Sequence, residues 1–246
     1  MTNAVLIAHG QPSDPEPAAK ALNALAAKVA LHLPGWRVTA ATLAEPGAIA
    51  RATAASPTGR AYPLFMAGGW FTRVQIPTKL AEAGAGGWTV LEPFGCDPAL
   101  HALAETIVAE ALESHGLNPG ETTLLLAAHG SFKSPVPSDI ARSLVTRIKT
   151  ALGLHHATAA FIDQTPTLAQ TRETGPNTLC LPFFAAEGGH VTIDIPEALT
   201  TAGFQGYLLP PLGLDPRTPA LIAAALRVGA PICATECRYR VASGGA

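Results

Sequence analysis

Short apolar runs alternate with segments of helical periodicity along the chain. The runs are continuous rather than alternating, which is typical of parallel strands covered on both faces; they span residues 5–8, 38–42, 62–66, 89–91, 123–128, 158–162, 179–183 and 207–209. Between them, apolar residues recur at helical spacing, as at Leu22, Leu25, Val29 and Leu33 and again at Ile140, Leu144, Ile148 and Leu152. The pattern predicts β-α units that build parallel sheets with right-handed crossovers.

Three segments of the chain recur in the same order at offsets of 118 to 120 residues. Leu6 to Gly10 returns as Leu126 to Gly130, Pro63 to Gly69 as Pro182 to Gly188, and Pro93 to Pro98 as Pro211 to Pro216. The recurrence predicts an α/β protein of two tandem, doubly wound parallel-sheet halves (Rossmann-like or flavodoxin-like) related by internal duplication. Asn118-Pro119-Gly120 marks the expected boundary, which gives halves of residues 1–118 and 119–246.

Composition narrows the classes of partner. Hydrophobic residues make up 48% and charged residues 14% of the chain, so each half can fill a core. The net charge is −2 with no block of Lys or Arg, which argues against nucleic acid and anionic membranes as partners. No secretory signal or bilayer-length apolar segment is visible. The chain has only four scattered cysteines, and the Cys233/Cys237 pair supplies too few ligands to complete a metal site. We therefore expect a reduced cytoplasmic protein. We expect it to be a monomer or a weak dimer.

Ionisable side chains follow several of the predicted strands. His9 and His129 come directly after the first strand of each half, Asp163 follows the second strand of the second half, and His190 follows its third strand. Since ligands of open parallel sheets bind beyond the carboxyl ends of the strands, we expect His129, Asp163 and His190 to meet at one edge. Phe71 stands at the position in the first half that matches His190.

Two imidazoles and a carboxylate suit a divalent first-row metal ion. They also suit general acid–base chemistry, because an unperturbed histidine titrates near ~6.5. A metallohydrolase, a metal carrier and a metal-inserting enzyme all remain open on this evidence. The H-E-x-x-H, G-x-G-x-x-G and G-x-S-x-G motifs are absent, which argues against a zincin, a dinucleotide site and a nucleophile-elbow hydrolase.

The second half resembles the class II tetrapyrrole chelatases. A strand ending in A-H-G-S is followed by P-F-F-x-x-x-G-x-H-V-x-x-D-I-P, and the resemblance to sirohydrochlorin cobaltochelatases and ferrochelatases covers nearly the whole chain. It implies a lyase that inserts cobalt or iron into sirohydrochlorin or a related acidic tetrapyrrole without ATP, for cobalamin or siroheme. The metal would be a substrate, with no permanently bound cofactor.

By this resemblance, His129 and His190 match the family histidines as metal ligands and catalytic groups. Asp163 matches the acidic position approximately, because the family usually has Glu there. Backbone N–H groups of a glycine pair can face an anion, and the residues expected to contact the substrate are Ser131, Lys133, Gly188, Gly189, Phe184 and His9. Of the neighbouring Phe183 and Phe184, we expect one to face the core and the other the substrate.

The first half departs from the family pattern. Phe71 stands in place of the second histidine, so the first-half site is expected to be incomplete. His9 is then either a remnant of that site or a substrate contact. This loss favours an alternative, a degenerate tetrapyrrole- or metal-binding protein without turnover. A metal-dependent hydrolase that uses the same edge is a weaker third interpretation.

Overall fold

The computed structural model describes residues 1–233 and 237–239. Within them, the strands β1 to β8 are Thr2–Ala8, Trp36–Thr42, Thr58–Pro63, Gly87–Val90, Thr123–Ala128, His156–Phe161, Thr178–Pro182 and Tyr207–Leu208. The helices α1 to α7 are Pro15–Leu31, Ala48–Thr53, Ile76–Glu82, Pro98–Ser114, Val136–Leu152, Ile195–Ala202 and Thr218–Val228. A π-helical turn precedes α3 at Phe71–Gln75, and another precedes α6 at His190–Asp194.

The strands form two four-stranded sheets in which every pair is parallel. Their strand orders are β2-β1-β3-β4 and β6-β5-β7-β8, so the same topology occurs twice. The order reverses between β1 and β3 and between β5 and β7, and such switch points open a crevice for ligands beyond the strand ends. The prediction of two doubly wound parallel-sheet halves is confirmed.

Each sheet is covered on both faces, as the continuous apolar runs predict. Successive residues of β1 from Ala4 to Ile7 are all fully buried, and so are those of β5 from Leu124 to Ala127. Period-2 alternation therefore sends apolar side chains to both faces of each sheet. One face of each sheet contributes to a core cluster; these clusters include Val5, Ile7, Ile76 and Leu80 in the first half and Leu125, Ala127, Ile195 and Leu199 in the second.

The chain divides into two compact units that do not coincide with the sequence repeat. Unit 1 contains residues 1–97 and 216–233, and unit 2 contains residues 98–215 and 237–239. Helix α4 follows the first sheet in sequence but packs against α5 and β7 in unit 2, whereas α7 follows the second sheet but packs against α1 in unit 1. The division at residue 118 thus remains a prediction about the sequence repeat. In the packed units, α4 of the first half belongs to unit 2 and α7 of the second half belongs to unit 1.

Helix α7 is held in unit 1 by specific contacts as well as by its apolar face. The Arg60 guanidinium donates hydrogen bonds to the carbonyl oxygens of Leu226 and Arg227, and Arg227 donates to the carbonyl oxygen of His32. Ile222, Ala223 and Leu226 are fully buried. Because these hydrogen-bond partners lie in β3 and directly after α1, residues 216–233 complete unit 1 and not the sheet that precedes them.

All four cysteines are in the thiol form, and burial raises the pKa of the Cys180 thiol in β7 to about 12, so this thiol stays protonated.

No helix among the described residues combines the length and the apolar character that crossing a bilayer requires.

Candidate functional site

The carboxyl ends of β5, β6 and β7 bring three loops of unit 2 side by side. The strand register pairs Ala128 with Phe161 and Ala127 with Pro182. The Asp163 N–H donates a hydrogen bond of 2.9 Å to the His129 carbonyl oxygen, which joins the first two loops. We call the edge formed by residues 129–135, 162–167 and 183–194 the unit 2 rim.

Gly130 permits the turn that presents His129 at this rim. Its φ is +76°, a left-handed conformation that residues with a side chain rarely adopt. A Cβ atom at this position would lie 2.7 Å from the Gln164 Cβ and 2.9 Å from the Phe161 Cβ, so the space is also closed. The glycine after the histidine is therefore required by both conformation and packing.

His129 and His190 are in ring contact at the unit 2 rim. Their ring centroids are 4.6 Å apart and the ring planes are nearly perpendicular, at 89°. The side chains are 47% and 46% exposed, so solutes can reach both imidazoles. His190 comes from the π-helical turn after β7, and His129 comes directly after β5. The two histidines singled out from the sequence thus lie together at the switch point of the second sheet.

Each imidazole is held on its Nδ1 side. The His129 Nδ1 lies 3.2 Å from the Gly130 carbonyl oxygen and 3.6 Å from Asp163 Oδ2. The His190 Nδ1 forms a 2.6 Å hydrogen bond with Asp194 Oδ2. These contacts leave Nε2 as the nitrogen of each ring that is available to a ligand. The structure therefore brings Asp163 to the histidine pair and adds a second carboxylate.

Asp194 and Gln164 are two further residues of the unit 2 rim that were not expected from the sequence. Asp194 could have been found from the His190 spacing of four residues and from the aspartate of the H-V-x-x-D-I-P segment. The Gln164 Oε1 accepts a 3.0 Å hydrogen bond from the Ser131 N–H, which fixes the loop after His129. No local pattern marks Gln164, because this contact joins two loops that meet only in the folded sheet.

The predicted substrate contacts occupy different environments. Ser131 and Lys133 lie in the loop after His129, where the Lys133 N–H donates to the Ser131 Oγ at 3.1 Å. The glycine pair before His190 is exposed, and the Gly188 carbonyl oxygen accepts from the Thr192 Oγ1. This contact joins the middle of the π-helical turn to the loop that precedes it.

Phe183 and Phe184 are only 2% and 9% exposed, so the expectation that one of them faces the substrate openly is wrong. Pairing with β5 ends at Pro182, and both following side chains turn into the packed interior. Phe184 belongs to the core cluster of unit 2, and its ring lies 6.2 Å from that of His190. Phe184 therefore lies next to the imidazole as part of the core, and a substrate contact by Phe184 remains a prediction.

Phe132 is a further aromatic residue at the unit 2 rim that was not expected from the sequence. Its side chain is 85% exposed between Ser131 and Lys133, three residues after His129. A large apolar side chain with so much open surface next to a polar site is a candidate contact for an apolar ligand face.

The equivalent rim of unit 1, residues 9–15, 43–47 and 64–75, has a different chemistry. His9 lies 4.7 Å from Phe71, ring centroid to ring centroid, at an interplanar angle of 75°. Phe65 stacks on Phe71 at 6.0 Å, and Trp70 contacts it edge-on at 5.3 Å. The Ala44 N–H donates to the His9 carbonyl oxygen, as Asp163 does to His129, so an alanine occupies the carboxylate position. His9 therefore lies against aromatic rings in unit 1.

Residues 1–233 and 237–239 contain no group of three or more His, Cys, Asp or Glu side chains arranged to hold a metal ion. The unit 2 rim instead offers two adjacent imidazoles, each with a carboxylate oxygen within 3.6 Å of its Nδ1. Asp163 and Asp194 both lie on the Nδ1 side, away from Nε2. This arrangement can present imidazole nitrogens to a cation and can pass protons to carboxylates.

Comparison with known proteins places the chain in a family. The family model described as CbiX matches residues 123–228. The structure of CbiX, the terminal enzyme for biosynthesis of siroheme in denitrifying bacteria, is 46% identical in sequence, with a TM-score of 0.85 over 92% of this chain and 98% of that one. No curated protein matches the chain.

Two more distant structures share the fold. SirB from Bacillus subtilis with Fe3+ is 15% identical, with a TM-score of 0.73 over 94% of this chain and 96% of that one. The sirohydrochlorin chelatase SirB from Bacillus subtilis subspecies spizizenii, in complex with cobalt, is 15% identical, with a TM-score of 0.71 over the same shares. Given the 46% identity to CbiX over nearly the full length of both chains, the protein belongs to the CbiX family of class II tetrapyrrole chelatases.

Proposed function

We propose that this protein inserts a divalent metal ion, cobalt or iron, into sirohydrochlorin or a closely related acidic tetrapyrrole without ATP. The observation that carries the proposal is the ring contact of 4.6 Å between His129 and His190, with each ring held at Nδ1. The product would serve siroheme or cobalamin synthesis. CbiX, the terminal enzyme for biosynthesis of siroheme in denitrifying bacteria, and the SirB structures with Fe3+ and with cobalt support this range of substrates.

His129 and His190 would receive the incoming metal ion. Imidazole is a borderline ligand that suits cobalt(II) and iron(II), and it can replace bound water on either ion. Two imidazole nitrogens hold an ion less completely than a closed site of four ligands, so the metal can pass on to the macrocycle. The remaining coordination positions would be taken by water and then by the pyrrole nitrogens.

Asp163 would assist proton transfer. Insertion of a divalent ion forms bonds to the ring nitrogens and releases two protons from pyrrole N–H groups, so the net charge balances. Once the metal ion has left His129 for the macrocycle, the freed Nε2 can accept these protons one after the other, while Nδ1 faces the Asp163 carboxylate at 3.6 Å. Both side chains are 47% exposed, so the proton can continue to solvent.

The loop after His129 would bind the substrate. Lys133 can pair with a peripheral carboxylate of the macrocycle, and the Ser131 hydroxyl can donate a hydrogen bond to another. The exposed backbone of Gly188 and Gly189 offers donors for a further anion. Phe132 would pack against the apolar face of the ring. Contact of His9 with the substrate stays a prediction, as does the role of Phe184.

A spectroscopic assay tests the proposal. Purified protein supplied with sirohydrochlorin and cobalt(II), or with iron(II) in the absence of oxygen, should shift the absorption spectrum faster than the uncatalysed mixture. His190→Ala and His129→Ala should each abolish most of this acceleration. His155→Ala is the matched control, because His155 is exposed and precedes β6, at the end of the strand opposite Asp163. Full activity of His190→Ala would remove the mechanism.

A binding protein without turnover is the second candidate. The unit 1 rim supports this candidate, because it keeps the same backbone geometry with Phe71 and Ala44 at the positions of His190 and Asp163. A carrier would bind the tetrapyrrole or the metal stoichiometrically and would give no acceleration in the same assay. The four free thiols support a reducing compartment such as the cytoplasm for either function.

A further inference from the structure

The shortest described hydrogen bond at the unit 2 rim joins His190 to Asp194, with 2.6 Å between Nδ1 and Oδ2. We propose that Asp194 is a positioning residue, which sets the tautomer and the orientation of His190 so that Nε2 carries the lone pair offered to the metal. The inference rests on the proposed function in so far as it gives His190 a metal to bind.

The tautomer follows from what each group can donate. An ionised carboxylate only accepts hydrogen bonds, so the proton in this contact belongs to the imidazole Nδ1. In a neutral ring the other nitrogen, Nε2, is then unprotonated and can coordinate a cation. A carboxylate bound behind a ligating histidine also fixes the ring orientation and raises its basicity as a ligand.

The backbone keeps Asp194 in place behind the ring. His190 and Asp194 are the first and last residues of the π-helical turn, whose carbonyl at His190 accepts a hydrogen bond from the Ile195 N–H. Ile195 is fully buried in the core cluster of unit 2, and Pro196 follows it at the start of α6. A carboxylate attached next to a buried core residue has little freedom to leave the imidazole. Wide turns of this kind recur at functional sites.

Unit 1 contains the same turn without the histidine. Phe71 and Gln75 are the first and last residues of its π-helical turn, at the positions of His190 and Asp194. The Gln75 Oε1 is buried and accepts no hydrogen bond within the described part of the chain. The Phe71 ring has no N–H to donate, so it cannot give the Gln75 acceptor the hydrogen bond that His190 gives Asp194. The acceptor is therefore satisfied in the unit whose ring is an imidazole and unsatisfied in the other.

The two histidines of unit 2 are supported differently, which makes the inference specific to His190. The His129 Nδ1 lies 3.2 Å from the neutral Gly130 carbonyl oxygen, whereas its carboxylate neighbour Asp163 is at 3.6 Å. His9 in unit 1 has the same backbone contact, at 2.9 Å to the Gly10 carbonyl oxygen. Loss of Asp194 should thus release His190 and leave His129 as it is.

The test compares Asp194→Ala and Asp194→Asn with the wild-type protein, with Gln75→Ala as the matched control in unit 1. Nitrogen-15 NMR of the metal-free protein, above the usual titration range of histidine, should show Nδ1-protonated His190 in wild type and mixed tautomers in Asp194→Ala. Cobalt(II) alone should bind Asp194→Ala about 10- to 100-fold more weakly. Asp194→Asn should be intermediate, because its amide oxygen still accepts the Nδ1 proton but lacks the charge. Gln75→Ala should match wild type.

Chelation kinetics separate this inference from the proposed function. With sirohydrochlorin, Asp194→Ala should raise the KM for cobalt(II) and leave the KM for the tetrapyrrole unchanged, an imbalance that a general loss of structure would not give. Unaltered His190 tautomers or unaltered cobalt(II) affinity in Asp194→Ala would overturn the positioning role, whatever the wild-type activity. If Asp194→Ala changes the His190 tautomer and the cobalt(II) affinity but the wild-type protein catalyses no chelation, the proposed function would be overturned and the positioning role retained.

Discussion

The two rims have nearly the same geometry and different chemistry. His9 and Phe71 are 4.7 Å apart in unit 1, and His129 and His190 are 4.6 Å apart in unit 2. The glycine after each first histidine has nearly the same φ, +74° at Gly10 and +76° at Gly130. The shape of the rim is thus a property of the sheet, its switch point and the π-helical turn.

The difference between the rims lies in a few side chains. Asp163, His190 and Asp194 of unit 2 correspond in backbone position to Ala44, Phe71 and Gln75 of unit 1. Unit 2 therefore has two imidazoles backed by two carboxylates, while unit 1 has one imidazole packed among aromatic rings. The fold supplies the ring spacing, and we expect the side chains at these three positions to decide whether the ring pair can bind a metal ion.

Converting the unit 2 rim to the unit 1 pattern should have the largest effect. His190→Phe should lower the rate of cobalt(II) insertion into sirohydrochlorin by about 10²- to 10⁴-fold, since an essential proton-accepting or ligating group is lost. The fold should survive, because Phe71 already makes the same ring contact in unit 1. Steady-state rates with circular dichroism as a structural check measure this. A rate within twofold of wild type would break the comparison, since the imidazole would then be dispensable.

The reverse conversion should give unit 1 a site of its own. In a His190→Phe background, the combined substitutions Ala44→Asp, Phe71→His and Gln75→Asp should restore cobalt(II) binding, more weakly than in wild type. Isothermal titration with cobalt(II) measures it. Phe71→His alone is the control and should bind more weakly still, because Gln75 offers only a neutral acceptor. No binding by the triple substitution would show that side chains beyond these three positions are needed.

The two turn glycines should separate stability from activity. Gly10→Ala and Gly130→Ala should each destabilise the protein by about 1–3 kcal/mol, because the new side chain would adopt a strained φ. Each Cβ would also lie within 3 Å of a neighbour, Thr42 or Gln164 respectively. Urea unfolding measures the stabilities, and at a temperature where both variants are folded only Gly130→Ala should slow metal insertion. Equal slowing by Gly10→Ala would assign the unit 1 rim a part in catalysis.

The smallest effect should come from the buried acceptor in unit 1. Gln75→Met should stabilise the protein by up to about 1 kcal/mol, because it replaces a buried carbonyl oxygen that lacks a hydrogen bond with an apolar group of similar size. Denaturant unfolding measures the change, and metal insertion should be unaffected. A loss of stability would indicate that the Gln75 amide has a favourable interaction in solution.

Much of the fold follows from local sequence. Four apolar runs in each half predict the strands. The continuous burial of β1 and β5 agrees with the prediction that these strands are covered on both faces. The recurring His-Gly segment after the first strand and the Gly-Gly-His segment after the third predict that the histidines share an edge. These inferences succeed because hydrophobic periodicity and strand ends are local properties, and a parallel sheet brings its carboxyl ends together.

The chain's sequence by itself determined that two doubly wound halves would form and that His129, Asp163 and His190 would follow neighbouring strands. Only the tertiary structure decided that α4 packs in unit 2 and α7 in unit 1, because an apolar helix face can cover either of two similar sheets. It also decided that Asp194 holds His190 and that Phe184 is buried. Hydrogen bonds and burial depend on where side chains meet in space, and the order of residues along a chain does not specify those distances.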